Sequence, residues 1–330
     1  MTERRPGAPA RSASAGLAKL PRLSGPDFAP QSTVAGRAWV TRLPSLVRQV
    51  ADAWRLVVDT DDVCHGYNAV VLLAEQSGRP VSLKLVWPPH RARSESAALE
   101  AWHGGGVVEL IRVDHRRGAL LLERLDGSSP LSRLPLAQAA ETAGRLIATL
   151  AIVPPPGDRA VPASPAPPAF PTTQDEARRL AVSLRRRQRA LGQPVPPDWV
   201  KLATTLARNL SASPAAFLVH ADLHYDNVLA SYRRGNPWIA VDPKAAVGDP
   251  ERSVPELLWT RADELDDATA ITLLLEQIVS SGRLEPDRAT AWAFVRTIDY
   301  WLWGLRHGLT EDPVRCERIA RALLARSGRR

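Results

Sequence analysis

The segment His220-Ala221-Asp222-Leu223-His224-Tyr225-Asp226-Asn227 carries an acid and an amide five residues apart, just before a short apolar run. A second carboxylate, Asp242, ends the next apolar stretch. Phosphoryl transfer needs a group to accept the proton of the attacking hydroxyl, and hard oxygen ligands for magnesium on the nucleotide phosphates. The spacing therefore predicts Asp222 as the base and Asn227 and Asp242 as magnesium ligands. The plain alternative is a polar turn after a strand.

The same chemistry needs a cation for the α- and β-phosphates, and lysine is scarce in this chain. Among 43 basic residues the only lysines are Lys19, Lys84, Lys201 and Lys244. Lys84 lies in an apolar strand-like run, 81–86, whose alternation puts it on the face opposite Val81, Leu83 and Leu85. A phosphate-binding lysine is one interpretation. A half-exposed lysine on an edge strand is the other.

Two further segments flank this lysine. Residues 94–102 are mostly helix formers, and they offer Glu95 or Glu100 as an ionic partner for Lys84. Upstream, Gly66-Tyr67-Asn68 precedes an apolar run. This tripeptide predicts a turn that either lies over the phosphates or simply joins two strands of a hairpin.

The order of these segments resembles the aminoglycoside phosphotransferase superfamily, and most closely its streptomycin 6-kinase and hydroxyurea phosphotransferase family. The matching blocks are residues 82–88, 98–127, 218–230 and 238–250. The likeness extends over about residues 40–325. It implies an α+β, protein-kinase-like bilobal fold with a small antiparallel-sheet N-lobe and a mainly helical C-lobe. It also implies ATP as phosphate donor and Mg²⁺ as cofactor.

The resemblance gives roles to individual positions. Asp222 is similar to the catalytic base of the family, and Asn227 and Asp242 to its magnesium ligands. Lys84 is similar to the phosphate lysine, and Glu95 to its helical partner.

Gly66 and Asn68, in the turn before the apolar run, are the further candidate phosphate contacts. The resemblance also implies contacts with adenine. Glu123 and Leu125 lie in a block similar to the hinge that binds adenine through backbone hydrogen bonds. Outside the nucleotide contacts, and with no role assigned, Lys244 in Asp-Pro-Lys is similar to a position typical of this subgroup.

Three features depart from the family pattern. Ala221 stands where the family usually has glycine, which is strained if its φ is positive. Ser253 stands where the family usually has an aspartate that braces the catalytic loop. The glycine-rich character of the phosphate turn is faint, since only Gly66 is present.

Composition limits the classes of function. The net charge of +8 could favour nucleic acid, but the arginines are dispersed and no nucleic-acid-binding motif is present, so no such partner is expected. No apolar run approaches the length of a membrane span, and no signal-like apolar core begins the chain, so a cytoplasmic protein is expected. The two cysteines, Cys64 and Cys316, lie too far apart in sequence for a zinc motif. The sequence does not predict an oligomeric state.

Periodicity predicts the order of elements. Residues 1–31 predict a disordered tail, 32–124 the nucleotide-binding N-lobe, and 125–330 the C-lobe with catalytic loop and acceptor pocket. Helices are expected at 39–52, 92–103, 136–150, 173–190, 197–211 and beyond 255. Strands are expected at 54–58, 69–75, 81–87, 107–113 and 118–123. A proline-dense connector occupies 154–171.

An acidic cluster at 262–267 suggests where a cationic acceptor binds. Its candidate acceptor-binding residues, together with two acids near the catalytic loop, are Asp226, Asp249, Asp263, Glu264 and Asp266. A helix N-terminus is the structural alternative for the cluster. The tryptophans at 259, 292, 301 and 303 either line a sugar site or belong to the core.

The expected activity is ATP-dependent phosphorylation of a hydroxyl on streptomycin or a related aminoglycoside or cyclitol. The alternatives are another acceptor, such as hydroxyurea, and a degenerate kinase that binds nucleotide and regulates a partner.

Overall fold

The computed structural model describes residues 28–154, 170–212 and 216–327, and the chain divides into two compact units. The N-terminal unit contains the described chain up to Ser96 together with Glu109–Arg124. The C-terminal unit contains Ala97–Val108 and the described chain from Leu125 onward.

Part of the segment expected to be a tail is folded. Ala29–Ser32 form a 3-10 turn, and Phe28 is fully buried, with its ring 5.3 Å from that of His65. Residues 28–31 therefore belong to the N-terminal unit. The rest of the predicted tail, 1–27, and most of the proline-dense connector, 155–169, lie outside the described residues.

A five-stranded antiparallel sheet forms the N-terminal unit, in the order β1-β2-β3-β5-β4. Its strands are β1 (Leu56–His65), β2 (Ala69–Gln76), β3 (Arg79–Val86), β4 (Leu110–Asp114) and β5 (Ala119–Glu123). The β2–β3 hairpin closes tightly because Ser77 and Gly78 both have positive φ, as its two-residue turn requires. β1 is longer than its apolar run predicts, since it continues through a bulge between Val58 and Val63.

Helix α1 (Val34–Trp54) supplies the core that covers one face of this sheet. Thr33 caps its first turn by accepting from Gly36 N at 3.0 Å. The buried residues of the helix recur at helical spacing, and they pack with alternate residues of β2 and β3. They are Trp39, Leu43, Val47, Val50 and Trp54. Leu83 and Leu85 belong to this core, which leaves Lys84 on the other face of β3.

Helix α2 (Arg91–Trp102) leads into a glycine-rich segment that belongs to the C-terminal unit. Val107 forms a parallel bridge with Ala240, and Ala240 N donates to Gly106 O at 2.9 Å. Trp102 Nε1 donates to Leu150 O at 2.8 Å. These pairings explain why β4 begins at Leu110 and not near residue 107, as the sequence predicts.

Helices make up most of the C-terminal unit. They are α3 (Leu136–Leu150), α4 (Thr173–Ala190), α5 (Pro197–Ser211), α6 (Pro255–Trp259), α7 (Ala268–Gly282), α8 (Pro286–Arg306) and α9 (Glu311–Ser327). The apolar stripe of α3 packs against α7, where Gly144 approaches the backbone of Ile278 too closely for any side chain.

Two small antiparallel sheets hold the polar loops of this unit. One has the order β6-β8-β9, and its strands are β6 (Asp126–Pro130), β8 (Val228–Ala230) and β9 (Trp238–Ala240). The other pairs β7 (Phe217–Val219) with β10 (Ala246–Gly248). The segments that carry Asp222, Asn227 and Asp242 lie at the ends of these short strands.

Candidate active site

The lysine predicted to bind phosphate is buried in an ion pair. Lys84 Nζ donates to Glu95 Oε1 at 2.6 Å, and the two side chains are 7% and 10% exposed. Glu100, the other candidate partner, is exposed on α2. Removing one member of a buried pair leaves an uncompensated charge, which costs about 3–5 kcal/mol. The pair therefore fixes the ammonium at a defined position on β3.

The predicted phosphate turn joins β1 and β2. Gly66 N donates to Ala69 O at 3.0 Å, and Asn68 O accepts from Trp87 N at 2.8 Å. Tyr67 extends outward and is 70% exposed. The segment is therefore a hairpin turn with an exposed tip, and its contact with phosphates stays a prediction.

The predicted adenine-binding block contains the end of β5. Glu123 N donates to Glu109 O at 3.1 Å, and its side chain accepts from Glu109 N at 2.8 Å. Leu125, two residues later, is 8% exposed and begins the second segment of the C-terminal unit. The role of both residues in binding adenine remains a prediction.

The segment from β7 to β8 holds Asp222 by its backbone. Asn227 Nδ2 donates to Asp222 O at 3.0 Å, which closes the loop across five residues. Ala221, at the position where the family usually has glycine, has φ 54° and therefore adopts the left-handed backbone conformation. Such a conformation costs a non-glycine residue about 1–2 kcal/mol. Strain of this kind is concentrated at functional sites.

The two predicted magnesium ligands lie at adjacent ends of the β8–β9 hairpin. Val228 pairs with Ala240, and Val241 N donates to Asn227 O at 2.8 Å, directly before Asp242. Asp242 has φ 56°, a second left-handed residue in the site. Asn227 Nδ2 donates a hydrogen bond to Asp222 O, and the amide oxygen Oδ1 is the atom that can coordinate a metal.

This donor set fits magnesium bound to nucleotide phosphates. An amide oxygen and a carboxylate are hard ligands, and magnesium takes its remaining oxygens from phosphates and water. Within residues 28–154, 170–212 and 216–327, no group of three His, Cys, Asp or Glu side chains is close enough to hold a metal unaided.

His220 connects the loop to the end of β9. Its ring is 1% exposed, and Nε2 lies 3.0 Å from Val241 O, so Nε2 must carry the proton donated to this carbonyl. Burial lowers the pKa of His220 from 6.5 to about 4, against the opposing effects of the Val241 hydrogen bond and the charge of Asp242. The ring is therefore neutral at pH 7, which suits a structural residue.

Lys244, to which the sequence assigned no role in the site, contacts Asp222. Its Nζ lies 2.8 Å from Asp222 Oδ2. The only signal in the sequence was the rarity of lysine together with the Asp-Pro-Lys tripeptide after β9. The contact depends on strand pairing between segments far apart in sequence.

Asp249, predicted to contact the acceptor, lies inside the C-terminal unit instead. It is 3% exposed, and its oxygens accept from Arg288 NH1 and Trp292 Nε1, both at 2.9 Å. Asp249 N also donates to Thr173 Oγ1 at 3.1 Å. Its carboxylate thus anchors β10 to α8 and is not open to an acceptor.

A buried ionic network surrounds Ser253, the residue that replaces the family's bracing aspartate. The neighbouring Arg252 donates to Glu176 at 2.7 Å and to Glu256 at 2.9 Å. Arg296 on α8 donates to Glu256 at 3.4 Å. Burial alone would raise the pKa of Glu176, but Arg252 and Arg296 lower it overall. Arg252 therefore ties the segment containing Ser253 to α4 and α6, and Arg296 of α8 joins the same ionic network.

The other acidic candidates lie on the surface with different surroundings. Asp263 forms an ion pair with Arg315, and Glu264 accepts from Arg261 at 2.5 Å. Asp266 and Asp226 are exposed. The helix-capping interpretation is confirmed for Asp267, which caps α7 by accepting from Ala270 N at 2.8 Å. Binding of an acceptor by the cluster stays a prediction.

Of these acids, Asp226 is the one within the loop 220–227 that contains Asp222. Its Oδ1 accepts from Ser132 Oγ at 2.5 Å, and its side chain is 66% exposed.

Most of the tryptophans that could have lined a sugar site are in the core. Trp292, Trp301 and Trp259 are 0%, 6% and 8% exposed. Trp303 is 43% exposed and stacks on Tyr300, with ring centroids 5.5 Å apart. The core interpretation therefore holds for three of the four.

Residues 53–308 match the family model described as "Aminoglycoside/hydroxyurea antibiotic resistance kinase". The chain belongs to this family. It is 35% identical to the hydroxyurea phosphotransferase of Kitasatospora aureofaciens over 301 residues, covering 89% of this chain and 82% of that one. It is 30% identical to the streptomycin 6-kinase of Streptomyces griseus over 279 residues, covering 83% and 87%.

A comparison with solved structures supports the fold assigned to this member of the family. The crystal structure of aminoglycoside phosphotransferase APH(4)-Ia superposes with a TM-score of 0.56 at 16% identity, covering 84% of this chain and 98% of that chain. The predicted protein-kinase-like α+β fold is thereby confirmed. Within the described residues, no helix combines the length and apolarity needed to cross a membrane.

Proposed function

We propose that the protein transfers the γ-phosphate of ATP to a hydroxyl of streptomycin or a related aminoglycoside or cyclitol. The observation that carries the proposal is the loop around Asp222. Its backbone is tied by Asn227, and its carboxylate is 20% exposed, in a member of a family of small-molecule kinases. An acid that is fixed yet accessible is what a general base requires.

In the proposed reaction, Asp222 accepts the proton of the acceptor hydroxyl. The acceptor oxygen bonds to the γ-phosphorus, the bond from this phosphorus to the bridging oxygen breaks, and ADP leaves. Lys84 binds the α- and β-phosphates as a cation held by Glu95. Asn227 Oδ1 and the carboxylate of Asp242 would hold magnesium, which would neutralise charge on the phosphates. Asp226 attracts a cationic acceptor toward the loop.

Hydroxyurea is the second candidate acceptor, and a specific observation favours it. Identity to the hydroxyurea phosphotransferase is 35%, against 30% to the streptomycin 6-kinase of Streptomyces griseus. The two acceptors differ strongly in size and charge, so an enzyme specific for one is expected to phosphorylate the other poorly.

The test is incubation of the purified protein with ATP, Mg²⁺ and each acceptor separately, followed by mass spectrometry for a phosphorylated product. Asp222→Asn keeps the size of the side chain and removes the base, so kcat is expected to fall by about 10²–10⁴-fold. Asp198→Asn, on the exposed first turn of α5, is the matched control and should retain activity.

Each outcome decides between the proposals. Product from hydroxyurea alone would reject the aminoglycoside acceptor, and full turnover by Asp222→Asn would reject the mechanism. Binding of ATP with no product from any acceptor would favour the degenerate kinase, for which Ala221 and Ser253 are the only support.

A further inference from the structure

The pairing of β7 with β10 brings Lys244 to the proposed base. Val219 pairs with Ala246 at the end of this antiparallel ladder. Continued by two residues, the same register places Ala221 level with Lys244, so Asp222 is its neighbour. The two residues lie 22 positions apart in sequence, and the ladder is what makes them adjacent.

Lys244 engages one of the two carboxylate oxygens of Asp222. Lys244 Nζ contacts Asp222 Oδ2 at 2.8 Å, while Asn227 holds the backbone carbonyl of Asp222 at 3.0 Å. Backbone and side chain are thus fixed by different residues. With Oδ2 engaged, Oδ1 is the oxygen that can accept a proton.

Stability does not account for this ion pair. The side chain of Lys244 is 65% exposed, and ion pairs with an exposed member contribute little to folding because water and salt screen them. A cation beside the base has a different use in phosphoryl transfer. It offsets the repulsion between the carboxylate and the phosphates that the acceptor must approach.

We propose that Lys244 is a positioning residue for Asp222: its ammonium orients the carboxylate and offsets its charge toward the transferring phosphoryl group. This inference rests on the proposed phosphotransferase function. It predicts that Lys244 acts on kcat through Asp222, with little effect on binding of ATP.

The kinetic test compares Lys244→Met and Lys244→Arg with the wild type. Lys244→Met should lower kcat about ten- to a hundredfold, the range expected when a reacting group is misplaced, while KM for ATP changes less than about twofold. Lys244→Arg keeps the charge and should recover much of the loss. Lys201→Met, at an exposed position of α5, is the control expected to match the wild type.

A double variant tests whether the effect passes through the base. Asp222→Asn combined with Lys244→Met should be no slower than Asp222→Asn alone, because residues that act as a unit are not additive. Full kcat in Lys244→Met, or an additive loss in the double variant, would overturn the inference.

A second measurement does not depend on turnover. The rate of acylation of Lys244 is followed by peptide mass spectrometry, with Lys201 as internal reference, in the wild type and in Asp222→Asn. Losing an exposed ion pair should speed acylation of Lys244 about two- to fivefold. An unchanged rate would reject the pair even if the enzyme is active. A third outcome is that Asp222→Asn changes the acylation rate of Lys244 but the wild type phosphorylates no acceptor. This would reject both the proposed function and the positioning role, and only the ion pair would remain.

Discussion

The buried imidazole of His220 should make folding stability depend on pH between about pH 7.5 and pH 4.5. The ring is 1% exposed and donates from Nε2 to Val241 O. Its other nitrogen, Nδ1, has no hydrogen-bond partner among the described residues. Protonation would therefore bury a positive charge that the loop does not accommodate, and burial lowers the pKa of His220 from 6.5 to about 4.

The sign and size of the effect follow from these two pKa values. Above pH 6.5 both folded and unfolded chains carry a neutral ring, and the stability is fully present. As the pH falls from 6.5 toward 4, the unfolded chain binds a proton that the folded chain does not, so stability is lost. Each pKa unit corresponds to about 1.36 kcal/mol, which gives a full loss of about 3 kcal/mol, of which about 2.5 kcal/mol falls between pH 7.5 and pH 4.5.

The assay is urea unfolding followed by tryptophan fluorescence at both pH values. His220→Gln keeps a donor near Val241 O and cannot titrate. It should be less stable than the wild type at pH 7.5, but lose about 2.5 kcal/mol less on acidification. His103→Gln, at an exposed position, is the matched control and should lose as much as the wild type. If His220→Gln lost as much stability as the wild type, the buried neutral ring would be ruled out.

Two further substitutions test the backbone of the site. Ala221→Gly removes a left-handed strain of about 1–2 kcal/mol but adds unfolded-chain entropy of about 0.4–1 kcal/mol. The free energy of unfolding measured in urea should therefore rise by about 0.5–1 kcal/mol. A fall in this free energy would contradict the positive φ. Gly248→Ala would place a Cβ in overlap with Thr173 Oγ1 and should cost about 3 kcal/mol, as measured by urea unfolding. Gly127→Ala has no atom within 4 Å of the new Cβ and is the control; equal effects of the two glycine changes would refute the close contact.

Local sequence patterns determined the helices and the position of the lysine strand. The predicted bounds 136–150, 173–190 and 197–211 coincide with α3, α4 and α5, because amphipathic spacing and flanking prolines or caps are properties of the segment itself. Alternation along β3 likewise placed Lys84 opposite Leu83 and Leu85.

Strand pairing limited what the sequence could determine. Residues 107 and 108 are apolar and strand-like, but they pair with Ala240 in the C-terminal unit and do not extend β4. The bulge within β1 likewise lengthens a strand whose apolar run ends at Val58. Neither outcome is encoded in the periodicity of the segment, because the partner strand lies elsewhere in the chain.

The types and spacing of Asp222, Asn227 and Asp242 were sufficient to predict phosphoryl transfer, because this chemistry needs a proton acceptor and hard oxygen ligands for magnesium. Tertiary structure alone decided that Asp249 is an internal anchor, that Ala221 is left-handed, and that Lys244 contacts Asp222. These outcomes depend on pairing and packing between distant segments, whose geometry a one-dimensional pattern does not contain.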